Sequence, residues 1–434
     1  MTEGKPISLI VRFTIPILMG NLLQLCYTIA DTRIIGSFLG DEALAAVGST
    51  TALYTLILCF FTGMANGFGI IIAKMFGAKD MEGLKTSYGA SLVLGAASAI
   101  IVIAATLIFM KPILRVLNVP EELMGEAVNY ISIVIAGLII TMLYCVVLAG
   151  SRAIGDSLTP LLFLIMSVGL NIAGDLVLIG VLHTGVWGAA VATVASQFLA
   201  LIASTIYILR KYDYFRFSGE DLKRADGPLI SSLMTTGISM GLMGSLICIG
   251  SFVLQTSING LGNSYIVAQT AARRITEVLM SIFVATGQAL STYCSQNYGA
   301  GRMDRVRMGI NAGYKLTCSW CVIVLIIVYT LAGPLVAAVT GSTDQVMIDA
   351  ATLYLRVDSI LYVLVAVIFV LRHSLQGVGD RVTPLVSSGI EMAGKVILTF
   401  TLVPVMGYMG VILVEPIVWI VMIIPLIVKG HKVR

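Results

Sequence analysis

Charge is what this chain has least of: Asp, Glu, Lys and Arg make up 12% of its 434 residues. A soluble globular domain carries about twice that share, so an ordinary soluble protein is excluded. Histidine is nearly missing, with only His183, His373 and His431. These fall near expected helix ends and do not cluster, so no histidine-based metal or catalytic centre is indicated. Seven cysteines lie singly, apart from Cys318 and Cys321. That CxxC sits in an apolar helix with no histidine or second pair nearby, so it reads as packing rather than metal or redox chemistry. No GxxxxGK[ST] phosphate loop is present to drive transport by nucleotide hydrolysis. Alternating barrel strands are absent as well.

What fills the chain is apolar sequence: 58% hydrophobic residues and a mean hydropathy of +0.98. Ile131–Gly150 alone supplies a bilayer's width of helix without a charge. Segments of this kind must close their backbone hydrogen bonds internally, which favours helices. The runs predict twelve, at 13–38, 46–72, 86–110, 128–149, 161–182, 186–209, 230–256, 265–294, 309–332, 351–371, 384–404 and 409–429. The first contains Asp31 and lacks a small-residue cleavage site, so it reads as a retained helix and not a signal peptide. Lys111–Glu126, flanked by Pro112 and Pro120, reads as a short helix at the outer surface.

Basic residues gather on one side. Lys74, Lys79, Lys85, Arg152, Arg210, Lys211, Arg216, Lys223, Arg224, Arg302, Arg305, Arg307, Arg372, Arg381 and the carboxy-terminal tail share it, against Lys111 and Arg115 opposite. The positive-inside rule makes the basic side cytoplasmic, with both termini inside a cytoplasmic (inner) membrane.

The chain also contains itself twice. Phe76-Gly77-Ala78-Lys79-Asp80 returns as Tyr298-Gly299-Ala300-Gly301-Arg302, and Leu39-Gly40-Asp41 as Leu261-Gly262-Asn263, both at an offset of 222. Gly155-Asp156-Ser157-Leu158-Thr159-Pro160 returns as Gly379-Asp380-Arg381-Val382-Thr383-Pro384 at an offset of 224. Six helices per copy make the repeat parallel, as in several secondary transporters. The expected fold is an all-α integral membrane protein of twelve transmembrane helices in two six-helix lobes, related by a pseudo-two-fold axis along the membrane normal. The lobes are placed at residues 1–216 and 217–434, joined by the polar linker at about 210–228.

Charges inside membrane helices are costly and each needs a reason. Asp31 in the first helix, Asn171 and Asp175 one turn apart in the fifth, and Thr193 in the sixth all fall about 10 Å inside the outer helix ends, at roughly 1.5 Å per residue. Carboxylate, amide and hydroxyl oxygens are hard ligands suited to Na⁺ or to a shared proton. The bland alternative is a hydrogen-bonded cluster that fixes helix packing.

Pro16 through Asp31 with Gly36 and Leu39-Gly40, Ala43-Leu44-Ala45-Ala46, Phe76-Gly77-Ala78-Lys79-Asp80, and Gly155-Asp156 with Thr159-Pro160 resemble, in order, the MATE (multidrug and toxic compound extrusion) family. The resemblance covers essentially the whole chain. It implies two lobes forming a V around a vestibule with alternating access, and a bend-prone proline in the first helix, matched by Pro16. It also implies a cation site for Na⁺, H⁺ or both at Asp31, Asn171, Asp175 and Thr193. Some relatives carry an acid in the seventh helix for a second cation site; Ile230–Thr256 has none.

The second half departs from the first. Lys395 stands where the first copy has Asn171, and Glu415 stands where it has Thr193. Glu391 lies one turn before Lys395, as an ion pair requires. The group reads either as a buried salt bridge or as a built-in cation. Glu277, with Arg273 and Arg274 one turn earlier, reads as a structural pair or as an accessory substrate or proton site.

The resulting expectation is a non-enzymatic antiporter, coupled to Na⁺ and/or H⁺, that exports amphipathic, cationic small molecules or drugs. It would need no cofactor beyond the coupling ion. Its partners would be small-molecule substrates and membrane lipids, not nucleic acid, and it would act as a monomer. The alternatives are a lipid-linked oligosaccharide flippase of the same superfamily, which a cationic vestibule and extra helices would favour, or a membrane-embedded enzyme, for which no nucleophile, base or metal cluster is evident.

Overall fold

The computed structural model describes residues 1–117, 119–341 and 344–431, and nothing of the side chains at 41 and 42. The tail residues Lys432 and Arg434, counted above with the basic side, lie outside the described residues.

Among the described residues ten helices are long and apolar enough to cross a membrane. They are α1 (Pro6–Gly40), α2 (Ala43–Gly77), α3 (Met81–Ile108), α4 (Met124–Ala153), α5 (Leu158–Val181), α6 (Val186–Lys211), α7 (Gly227–Asn259), α8 (Asn263–Gly299), α9 (Met303–Thr340) and α12 (Tyr408–Gly430). An eleventh, α10, is a broken span of Gln345–Ile360 and Tyr362–Gly377 bent by 53°. The twelfth, α11 (Val382–Thr401), has 20 residues, and its buried Glu391 and Lys395 dilute its apolar character. Short helices at Met110–Val116, Gly219–Lys223 and Val403–Met406 join the spans. Residues such as Ile101, Ile108 and Val405 face outward, as lipid-facing helices require.

The repeat is visible in the backbone. Left-handed turn residues recur in pairs at the sequence offsets: Gly40 with Gly262, Lys79 with Gly301, Gly155 with Gly379 and Gly185 with Gly407. Gly40 (φ 82, ψ −177) ends α1, and Gly262 (φ 102, ψ 161) opens α8. The helix entries repeat too. Asp156 accepts from the Thr159 N–H (3.0 Å) as Asp380 does from that of Thr383 (3.0 Å), and each also accepts from the threonine hydroxyl.

By internal packing the chain forms two compact units, Met19–Gly244, and Met1–Leu18 with Ser245–Arg434. Both boundaries fall inside helices, two residues past Pro16 in α1 and midway along α7. In the first unit α2, α3 and α4 close around Phe61, Met64, Phe68, Ile135, Leu138 and Met142. There α2 and α7 cross on glycines: a Cβ at Gly67 would lie 2.8 Å from the Thr236 carbonyl oxygen. That is the close approach small residues allow between membrane helices. In the second unit α8, α9, α10 and α12 enclose Phe283, Val324, Tyr362, Val365, Val411 and Leu426. Ile10, Phe13 and Ile17 of α1 pack there on Leu290, Tyr293 and Ile310. Buried Arg305 holds the Met1 and Gly4 carbonyls of that segment at 3.2 and 3.0 Å.

Candidate ion site in the first unit

Asn171 and Asp175 lie on one face of α5, and both are buried, Asp175 completely at 0% exposure. Immediately after Asp175 the helix loosens into a π-helical segment, Leu176–Val181. Such segments interrupt the regular hydrogen-bond ladder and recur at functional sites. Asp31 comes from α1, with its carboxyl within hydrogen-bonding reach of Asp175. Thr193 comes from the second turn of α6 and donates its hydroxyl proton to the Ala189 carbonyl at 3.0 Å. The four residues picked out by depth and spacing therefore meet in one place.

The Asn171 amide connects them: its nitrogen donates to Asp175 Oδ2 (3.1 Å) and Tyr27 Oη (3.0 Å) while its oxygen accepts from Thr193 N (3.1 Å) and Oγ1 (3.2 Å). Asp175 Oδ1 accepts no hydrogen bond. Among the described residues, no Lys or Arg forms an ion pair with Asp31 or Asp175. Two adjacent carboxyls in an apolar surrounding cannot both stay ionised and bare.

Tyr27, Tyr54 and Tyr130 stand around the acids, and sequence reasoning missed all three. Tyr27 carried one signal, a place one turn before Asp31 on α1. The other two had none, because tyrosines in apolar helices are common. Pro16 lies inside α1, well short of this cluster.

The second unit's charges form a separate buried group. Lys395 Nζ lies 3.3 Å from Glu391 Oε1 and 3.1 Å from Glu415 Oε1. Glu391 Oε2 is also held at 3.3 Å by Arg372, which in turn donates to Ser387. Arg372 was counted above as a basic residue of the cytoplasmic side; it is instead buried in this network. Asp358, fully buried at the end of the first half of α10, was missed altogether. Glu277 stands apart, paired with Arg274 at 3.1 Å and Arg273 at 3.8 Å on half-exposed α8 positions. Among the described residues no cysteine forms a disulfide.

Residues 16–177 and 240–401 each match the profile of the family described as MatE. The chain is 26% identical over 385 residues to the probable multidrug resistance protein YpnP of Bacillus subtilis (strain 168), covering 89% of this chain and 85% of that protein. It is 25% identical over 413 residues to the multidrug export protein MepA of Staphylococcus aureus (strain N315), covering 94% and 90%. Its fold superposes with a TM-score of 0.90 on an outward-facing multidrug resistance MATE family transporter of the MOP superfamily, at 23% identity and over 99% and 96% of the two chains. A MATE structure in a bent conformation superposes equally well, with a TM-score of 0.90 at 23% identity, covering 99% and 96%. With both repeats matched in register and the twelve-helix, two-lobe fold in place, this multi-pass membrane protein belongs to the MatE family of transporters.

Proposed function

We propose that the chain is a cation-coupled antiporter of the cytoplasmic membrane, with both termini inside, that exports amphipathic, cationic small molecules by alternating access of its two lobes. The names of the relatives, multidrug resistance and multidrug export proteins, support the substrate class. One observation carries the coupling: Asp31 and Asp175 adjoin without a basic partner, and Asp175 Oδ1 lacks any donor.

Asp31 and Asp175 would hold the coupling ion, Na⁺ or H⁺, with Asn171 and Thr193 completing its surroundings. A proton needs no further oxygens, whereas Na⁺ gains from Asn171 and Thr193, which favours Na⁺ in competition with H⁺.

Fluorescent-drug efflux from vesicles, with Na⁺ and pH gradients imposed separately, tests this. Asp31→Asn and Asp175→Asn are each expected to abolish gradient-driven efflux at near-normal protein levels. Undiminished efflux in both, at matched expression, would remove the site from the mechanism. A Na⁺ gradient that drives nothing at zero membrane potential, where ΔpH alone does, would overturn the Na⁺ preference.

A further inference from the structure

Within the second unit, two helix surfaces change character near the same end. Arg307, Asn311, Lys315 and Ser319 follow one another at i,i+4 spacing on α9, and all four are exposed. Over the next two turns the exposed positions are apolar: Val322, Ile323 and Ile326. On α12 the order is reversed. Ile420, Val421, Ile424, Ile427 and Val428 are exposed and apolar, and exposed Lys429 and His431 follow them. Such a change marks the level at which hydrocarbon gives way to headgroups.

A crevice of about 340 Å³ lies at that level, lined by Tyr314 and Cys318 of α9, Ile427 and His431 of α12, and Val367 and Leu371 of the second half of α10. Both outer helices pack on that half of α10, which forms the floor. A Cβ at Gly430 would lie 2.8 Å from Leu371 Cδ2, so α12 closes onto α10 at its end. Half-exposed Ile427 and exposed His431 leave the crevice open to the outside. Its volume is at the low end for a small-molecule site, and its lining is apolar except for the phenol, the thiol and the imidazole. The basic groups at its mouth differ in their partners. Lys429 is turned to Asp380 at 3.8 Å. Among the described residues neither Lys315, which directly follows Tyr314, nor His431 forms an ion pair. An exposed lysine on a membrane helix lays its stem on hydrocarbon and lifts its ammonium to the headgroup layer. A histidine ring has an N–H to donate in either tautomer. The anion present at that layer is a lipid phosphate.

We propose that this crevice binds one anionic phospholipid, with an acyl chain lying between α9 and α12 over Val367 and Leu371 and the phosphodiester held by Lys315 and His431. Basic pockets between membrane helices take acidic headgroups in this way. A cationic amphiphile would meet two basic groups at the mouth, and a free phosphate would leave the apolar floor unused. The lipid satisfies both halves of the site.

Cys318 reports occupancy, because a chain in the crevice covers its thiol, and exposed Cys26 of the first unit serves as the internal control. Alkylation of both by N-ethylmaleimide, read peptide by peptide by mass spectrometry, is followed on the delipidated full-length protein in detergent. Dioleoylphosphatidylglycerol should slow the reaction of Cys318 and not that of Cys26. Dioleoylphosphatidylcholine should protect only at higher concentration, and glycerol phosphate not at all. Lys315→Gln, at an exposed position, should weaken protection by the anionic lipid about fivefold, the worth of one basic side chain near an anionic headgroup. Adding His431→Gln should leave the two lipids equal. Equal protection by both lipids in the parent, protection by glycerol phosphate alone, protection by ethidium in place of the lipid, or a preference that survives the double variant overturns the proposal. Native mass spectrometry supplies a readout that needs no reactive thiol: the parent should retain one more phosphatidylglycerol than the double variant, and equal numbers on both would also overturn it.

Discussion

Lys79 shows what a single residue gives up to keep a repeat. It holds a left-handed conformation (φ 59) in the turn before α3, where the second copy has Gly301 (φ 71). An L-residue there costs about 1–2 kcal/mol, partly offset because glycine is more disordered when unfolded. Lys79→Gly should therefore raise stability by up to about 1 kcal/mol, read as a higher unfolding midpoint in detergent; a lower midpoint would mean that the lysine makes a compensating contact. Asp156, between α4 and α5, works in the opposite sense. Burial alone would raise its pKa, but hydrogen bonds from Thr159, Tyr212 and Lys211 outweigh that and hold it below the usual carboxylate value. Its folded pKa is thus below its unfolded one, so its stabilisation is complete above about pH 4 and fades as pH falls through the folded value. Asp156→Ala should cost about 0.5–2 kcal/mol as a lost helix cap. The gap between wild type and mutant should narrow on acidification; a gap constant with pH would show that the carboxylate charge is not what matters.

Between elements, the deciding contacts are backbone-close crossings and buried ion pairs. Where α2 meets α7, a Cβ on Gly67 or Gly241 would stand 2.8 Å from backbone atoms of the other helix. Backbone cannot rotate away as a side chain can, so Gly67→Ala should cost about 1–3 kcal/mol as overpacking. Gly48→Ala, which meets nothing within 4 Å, serves as its control. On α11, Lys395→Met leaves Glu391 still paired with Arg372 but leaves Glu415 and Asp358 without a cation. The loss should be about 3–5 kcal/mol. Pairing it with Glu391→Gln restores the group's net charge and should recover much of that; simple additivity in the double-mutant cycle would show the two residues uncoupled. The pair Glu391–Lys395 was legible because i,i+4 spacing on one apolar helix admits few other readings. Arg372 and Asp358 were not. Arg372 is close enough to a helix end to pass for an interfacial charge. Asp358 lies inside the span placed at 351–371, where Arg356 two residues earlier offered it a counter-charge, and Ile360-Leu361-Tyr362 has no proline or glycine to announce the break in α10.

For the molecule as a whole, duplication made the architecture readable, because the same turn chemistry is spelled twice: Gly40 and Gly262, Gly155 and Gly379. The first-lobe site was readable because Asp31, Asn171, Asp175 and Thr193 are polar in helices that otherwise exclude polarity. The orientation of the Asn171 amide was not, since it depends on Tyr27 and on the Thr193 backbone, partners fixed only by folding. An antiporter needs more than a site: the ion and the drug have to select opposite states or weaken each other's binding. That coupling is a free energy shared by the two ligands, so it must be reciprocal. If saturating Na⁺ weakens drug binding about tenfold, saturating drug must weaken Na⁺ binding by about the same factor, near 1.4 kcal/mol. Titration calorimetry on the purified protein can measure all four equilibria. In Asp31→Asn the drug affinity should become indifferent to Na⁺ while remaining measurable, because the ion has lost its hold and the drug has not. Drug affinity that still falls with Na⁺ in that variant would place the coupling ion elsewhere in the fold.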